Sequence, residues 1–150
     1  MADLVKNKKA HFNYEILEVF EAGLDLLGTE VKALRSGKGS LDGARVIIRG
    51  NEAFLINANI PAFQPANAPK KFEAERNRKL LLTKKELAEL ADKEGAKGLT
   101  IIPISVYNKG RYLKVKIAIA RGKKKFDKRE SIKKKDSKRD MERTLKEKYR

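Results

Sequence analysis

Two clusters carry the groups in this sequence that could do chemistry. One is Arg76-Asn77-Arg78-Lys79; the other is the run that begins Gly122-Lys123-Lys124-Lys125-Phe126-Asp127-Lys128-Arg129. Ammonium and guanidinium groups at this density suit the neutralisation of phosphates, with little base specificity of their own. A planar guanidinium at Arg76 or Arg78 can grip a phosphate through two N–H groups or stack on a base. Phe126, an aromatic among cations, suits either stacking on RNA or docking the root of the tail onto the folded part; the sequence leaves both open. Plain solvation is the ordinary fate of a charge run. Proton-transfer and metal chemistry have thinner support. There is one histidine, His11, and no cysteine, which removes thiolate and paired-histidine metal sites. Asp127 and Glu130 lie among lysines and read as charge balance. Ser36-Gly37-Lys38-Gly39-Ser40 lacks the Gly-x4-Gly-Lys-Ser/Thr spacing of a nucleotide-hydrolysing loop, so a turn exposing Lys38 is expected. The chain reads as a non-enzyme with no cofactor and no metal.

Charge divides the chain in two. Residues 121–150 hold 15 Lys and Arg against 6 Asp and Glu, a net charge of +9 out of +16 for all 150 residues. Such a segment has too little apolar surface to offset its ordering entropy. A folded domain over 1–120 is therefore expected, followed by a basic tail over 121–150 that is disordered alone and orders on a polyanion. In the tail, Met141, Leu145 and Tyr149 fall at i, i+4 and i+8 and would give a helix one narrow apolar stripe. The excess of positive charge favours nucleic acid as partner over a membrane. No run approaches the ~18–20 apolar residues needed to span a bilayer. Met1 to Lys6 lacks a signal-peptide core, and a cytoplasmic location is expected.

The elements that must position these groups follow from periodicity. Residues 1–11 read as polar and frayed. Phe12 to Phe20 reads as a strand, broken by Gly23, with a short second strand over Leu24 to Leu27. Thr29 is expected to N-cap a helix that presents Val31 and Leu34 to the core and Lys32 and Arg35 to solvent, ending at Gly37 and Gly39. Residues 45–49 and 52–56 flank Gly50-Asn51, a two-residue hairpin signal. Residues 57–72, with Pro61, Pro65 and Pro69, read as a long surface loop. Thr83-Lys84-Lys85-Glu86 is a capping box opening a helix. Leu99 to Tyr107 is a strand in which Pro103 marks an edge position or a bulge. Tyr112 to Ala120 alternates cleanly, with Leu113, Val115, Ile117 and Ile119 on one side. Five or six strands joined mostly as hairpins predict a mainly β fold with short helices: an OB-like antiparallel barrel, closed or partly open.

Several stretches together resemble the SmpB family, the SsrA-binding proteins. They are Asn7-Lys8-Lys9-Ala10, Tyr14-Glu15-Ile16, Phe20-Glu21-Ala22-Gly23, Gly28-Thr29-Glu30-Val31-Lys32, Leu34-Arg35-Ser36-Gly37-Lys38, Glu52-Ala53-Phe54-Leu55, Arg76-Asn77-Arg78-Lys79-Leu80-Leu81-Leu82, Lys114-Val115-Lys116-Ile117, and Gly122-Lys123-Lys124 with Asp127-Lys128-Arg129. They fall in family order over residues 7–143. The sequence departs from the family pattern at Glu73-Ala74, where Asp-Pro is usual, at Arg45, where many members carry an aromatic, and at Phe126, where many carry a histidine.

The resemblance implies a factor that binds the tRNA-like domain of transfer-messenger RNA and brings it to ribosomes stalled on messages without a usable stop codon. Its tail would enter the decoding centre and the vacant messenger channel and become helical there. Elongation factor Tu with GTP and alanyl-tRNA synthetase would be partners only through the RNA. The factor would be a monomer. By the same resemblance the RNA-binding residues are Asn7, Lys8, Lys9, Glu21, Lys32, Arg35, Lys38, Arg76, Arg78, Lys79 and Leu81. Glu21 would accept hydrogen bonds from base or sugar donors. Lys123, Lys124, Lys125, Phe126, Asp127, Lys128 and Arg129 would act on the ribosome. A general RNA-binding or ribosomal OB-type protein is the alternative that the residues alone leave standing.

Overall fold

The computed structural model describes residues 3–64, 72–96 and 98–123. The expectations for residues 124–150, including Phe126 and the Met141–Leu145–Tyr149 stripe, and for Pro65 and Pro69, lie outside the described residues. Seven strands form one antiparallel sheet: β1 (Asp3–Lys6), β2 (Tyr14–Leu24), β3 (Arg45–Arg49), β4 (Glu52–Ile56), β5 (Arg78–Leu81), β6 (Leu99–Lys109) and β7 (Tyr112–Gly122). Three helices join them: α1 (Ala10–Asn13), α2 (Gly28–Arg35) and α3 (Lys84–Lys93). The strand order is β1-β6-β7-β2-β5-β4-β3. No ladder joins β1 to β3, so the sheet is not closed, although it curls until β3 lies beside β6.

The long strands exist because their inner positions are apolar and β-branched. Val115 and Ile117 of β7 are completely buried, and each such side chain contributes about 1.5–3 kcal/mol on leaving water. They meet Phe20 and Ala22 of β2, Val46 of β3, Leu55 of β4 and Leu34 of α2 in one core. The Gly50-Asn51 turn takes positive φ at both residues (57° and 64°), as a tight hairpin requires, and sets β3 against β4. Thr83 caps α3 as its sequence implies: its hydroxyl accepts from the Glu86 N–H at 3.2 Å, and the Glu86 carboxylate accepts from the Thr83 N–H at 3.2 Å.

Elsewhere tertiary contacts override the local signals. Residues 3–6 are an edge strand rather than frayed, because Val5 reaches the core. Phe12 belongs to α1, not to β2. Gly23 does not break β2; it pairs with Leu81, and Leu24 pairs with Leu80 in the same strand, so the expected second strand over Leu24 to Leu27 is absent. Leu27, not Thr29, caps α2: Glu30 reaches back to the Leu27 N–H at 2.9 Å, and the Thr29 hydroxyl instead accepts from the Phe63 N–H at 2.8 Å. Pro103 lies in β6 at a bulge between Pro103 and Ser105, as expected; it pairs with Ile117 of β7, while β1 pairs with β6 only as far as Ser105. The described part of the long loop is packed down rather than lying on the surface. Ala58, Ile60 and Ala62 are buried, and Asn59 bridges to Ser40.

Candidate nucleic-acid interface

The outer face of the sheet is built from the residues that alternate with the core set on β6, β7, β2 and β5. Side chains paired across antiparallel strands share a face. One row runs Lys6, Ser105, Lys116, Glu21, and the next runs Asp3, Tyr107, Lys114, Gly23, Leu81. Lys79 lies two positions from Leu81 on β5, and Lys109 pairs with Tyr112 at the β6–β7 turn. Leu81 is 56% exposed and Tyr112 71% exposed. Gly23 allows Leu81 to lie close over β2: a Cβ at this position would sit 3.1 Å from the Leu81 Cβ. The result is a face of lysines around uncovered apolar and aromatic surface, which suits phosphate neutralisation beside base stacking.

Glu21 sits inside this cationic face and is held from two sides. The Tyr107 hydroxyl donates a short hydrogen bond to one carboxylate oxygen, and Lys109 Nζ donates to the other at 2.9 Å. The Tyr107 bond, then Lys109, holds the Glu21 carboxyl below its usual range. Burial and the Glu21 carboxylate push the Tyr107 hydroxyl up. Both Glu21 oxygens are therefore engaged within the protein, where the sequence reading assigned them to base or sugar donors. Glu21 acts here as a clamp on Tyr107 and Lys109. A depressed carboxyl pKa means that the clamp's contribution is full above about pH 4.5, the ordinary value, and is lost as pH falls through the lowered value. Tyr107→Phe is expected to raise the Glu21 titration midpoint toward the ordinary carboxylate range. A carboxyl-carbon NMR titration reads this directly, and an unmoved midpoint would show that the bond does not form in solution.

Asn7 lies at the middle of β6, and the chain runs from it through Lys8 and Lys9 toward the opposite end of the long strands. The Asn7 N–H donates to the Ile104 carbonyl at 2.8 Å, and its side-chain amide donates to the Pro103 carbonyl at 2.9 Å, so Asn7 is anchored on the β6 bulge. The anchor swings α1 across the outer face, where Ala10 packs on Ile102 and Ala120. Lys8 and Lys9 remain exposed on the turn before α1. Lys123, the last described residue, is tied to the same corner: its N–H donates to the Asn13 carbonyl and its Nζ to the His11 carbonyl, both at 2.8 Å. Of the tail cations and Phe126 assigned to the ribosome, Lys124, Lys125, Phe126, Asp127, Lys128 and Arg129 lie outside the described residues.

The Arg76–Lys79 cluster splits between surface and interior. Arg78 is fully buried and presents no surface to RNA, which corrects its assignment to the cationic face. Its Nε and Nη2 donate to Glu30 Oε2 at 2.8 and 2.6 Å, and its guanidinium also donates to the carbonyls of Ala58 (2.7 Å) and Ala74 (2.8 Å). Arg76 closes the other side of Glu30 at 2.5 Å and keeps part of its side chain in solvent. Burial alone would raise the Glu30 carboxyl, but Arg76, the Leu27 N–H and Arg78 outweigh it and hold it low. Lys79 points outward beside Glu52 at 3.4 Å, an exposed pair of little energetic weight. On α2, Lys32 is exposed and Arg35 donates to the Arg111 carbonyl at 2.9 Å, tying the helix to the β6–β7 turn. Lys38 lies 5.5 Å from the centre of the Phe63 ring, so it is held by a cation–π contact rather than left loose on a turn. Lys109, Lys114, Lys116, Tyr107 and Tyr112 were not among the candidates. The alternation of Lys114 and Lys116 with the buried residues of β7 was the signal that could have found them.

The sequence profile described as SmpB protein matches residues 4–147. The chain is 50% identical over 140 residues to the SsrA-binding protein of Acaryochloris marina (strain MBIC 11017), covering 93% of this chain and 91% of that one. It is 49% identical over 142 residues to the SsrA-binding protein of Gloeobacter violaceus (strain ATCC 29082 / PCC 7421), covering 95% and 93%. A chain from a solved structure described as "tmRNA-SmpB: a journey to the center of the bacterial ribosome" superposes with a TM-score of 0.68 at 42% identity, over 80% of this chain and 84% of that one. The open antiparallel sheet, the lysine-rich outer face and a match along nearly the whole chain converge on one conclusion: this chain belongs to the SmpB family of SsrA-binding proteins.

Proposed function

We propose that the chain binds the tRNA-like domain of transfer-messenger RNA and delivers it to stalled ribosomes for trans-translation. The single observation that carries the reading is the outer sheet face, where Lys79, Lys114 and Lys116 surround the exposed Leu81 and Tyr112. The family's name and the ribosomal setting of its solved relative support the same partners. In this reading the lysines neutralise RNA phosphates, Leu81 and Tyr112 cover an unpaired base, and Glu21 works by fixing Tyr107 and Lys109. Asn7 works by fixing α1 and the exposed Lys8 and Lys9. Arg76 and Arg78 work with Glu30 by holding β5, and with it Leu81, against α2. Residues 121–150 act on the ribosome and not in RNA capture, and elongation factor Tu and alanyl-tRNA synthetase meet the protein only through the RNA.

The test separates capture from delivery. In a competition assay at near-physiological salt, the full-length protein is expected to hold labelled tRNA-like domain against excess elongator tRNA. The variant with Asp127→Ala, Lys128→Ala and Arg129→Ala is expected to capture it equally well and to lose peptide tagging in a reconstituted translation system. Ready displacement by elongator tRNA would make this a general basic RNA binder. Loss of capture in the triple variant would overturn the division between sheet and tail.

A further inference from the structure

Pairing leaves one long strand half open. β7 accompanies β2 from Tyr14 to Gly23, whereas β5 reaches the other side of β2 only at Gly23 and Leu24. From Glu15 to Ala22 no described strand pairs with that other side, so a row of backbone N–H and C=O groups lies there without a ladder. Leu17 and Val19 stand on this stretch 45% and 48% exposed. The stretch also has the wrong sign for RNA. Residues 12–31 hold five Asp and Glu and no Lys or Arg, in a chain of net charge +16. Glu15 and Glu18 are exposed and make no ion pair or side-chain hydrogen bond among the described residues. On β7, Arg121 pairs across from Glu15, and Glu18 pairs with Ile119. Glu21, further along, is already engaged by Tyr107 and Lys109. A second copy is a poor occupant. Antiparallel pairing of this edge with itself, centred on Glu18, sets Glu18 against Glu18 and Glu15 against Glu21, and like charges directly opposite repel. Leu17 is the extra residue of a bulge against β7, which kinks the edge and disfavours flat self-pairing. What the edge accepts is its complement: extended chain with Lys or Arg opposite Glu15 and Glu18 and an apolar side chain beside Val19.

We infer that the open edge of β2 from Glu15 to Val19 is a docking site for a basic, extended segment of a protein partner, which adds to the sheet as a further strand. It goes beyond the outer-face reading and stands without it. The test uses the full-length protein with an octapeptide of alternating lysine and valine as the probe, read by amide hydrogen exchange and by the Val19 methyl resonances. The peptide is expected to shift those methyls. It should also slow exchange of the β2 amides between Glu15 and Val19 that face away from β7, roughly tenfold when free peptide stands at ten times its Kd. The same peptide N-methylated at alternate residues keeps its charge and loses the ladder, and is expected to give no protection. Glu15→Gln with Glu18→Gln is expected to weaken peptide binding roughly five- to tenfold, a few-fold for each cross-strand charge pair, without weakening capture of the tRNA-like domain. Unmoved amides and methyls would overturn the site, and equal protection by the N-methylated peptide would reduce it to charge attraction. Amides already protected in the protein alone would put the chain's own basic tail on this edge, or a second copy if the protection rises with protein concentration, and either result would overturn a partner in trans.

Discussion

Glu30→Gln is expected to destabilise the fold by about 3–5 kcal/mol, the usual cost of leaving a buried charge without its partner. Glu30 and Arg78 are both fully buried, and Arg78 has no route to solvent when the carboxylate is gone. For a chain of this size the loss corresponds to a fall in melting temperature on the order of 10 °C or more, which calorimetry would read. Replacing both partners with apolar residues would not repair the site. Arg78 also holds the carbonyls of Ala58 and Ala74, and an apolar side chain would leave them unpaired. The pH dependence has a definite sign. The Glu30 carboxyl is held below its ordinary value, so the stability it supplies is full above about pH 4.5 and is lost as pH falls through the lowered value. Glu30→Gln should lack that part of the acid transition. A melting temperature within a degree or two of the parent would mean that Arg78 is not buried in solution.

The second large effect concerns RNA. Lys79→Ala combined with Lys114→Ala and Lys116→Ala is expected to lower the slope of log K against log salt by roughly 2–3, at about one phosphate contact per lysine. At physiological salt, affinity for the tRNA-like domain should fall by roughly two orders of magnitude by the same relation. Lys116 is exposed and Lys79 is largely so, and none of the three belongs to the core, so stability should stay within about 0.5 kcal/mol of the parent per site. Binding measured across a salt series gives both quantities. A parallel line of unchanged slope would place the RNA elsewhere on the molecule.

What the sequence showed plainly was local. Leu113, Val115, Ile117 and Ile119 alternate without interruption, and β7 is where the alternation places it. Gly50-Asn51 and Thr83–Glu86 each contain their whole signal within four residues, and both structures form. What it hid was distant. Arg78 looks like a surface cation until Glu30, 48 residues earlier, is placed beside it. Glu21 looks like an available acceptor until Tyr107 and Lys109, 86 and 88 residues later, take both of its oxygens. Gly23 looks like a strand breaker because nothing nearby in the chain announces that Leu81 will lie across it. The family resemblance singled out Glu21 and Arg78 but could not say which way their side chains turn.

The three central strands each run 11 residues. At about 3.3 Å per residue, β7 spans ~33 Å from Tyr112 to Gly122. Paired strands do not stretch or fold back, so they act as a caliper. Whatever rests on Tyr112 and Leu81 is held at a set reach from the corner where Lys123 is fastened and the remaining chain departs. The length of that caliper is a property of strand length and register, not of any contact at either tip. Removing a pair of residues from each of the three strands would bring the tips ~7 Å closer while keeping every side chain on its own face. The protein would then still grip at both ends, with the wrong gauge between them.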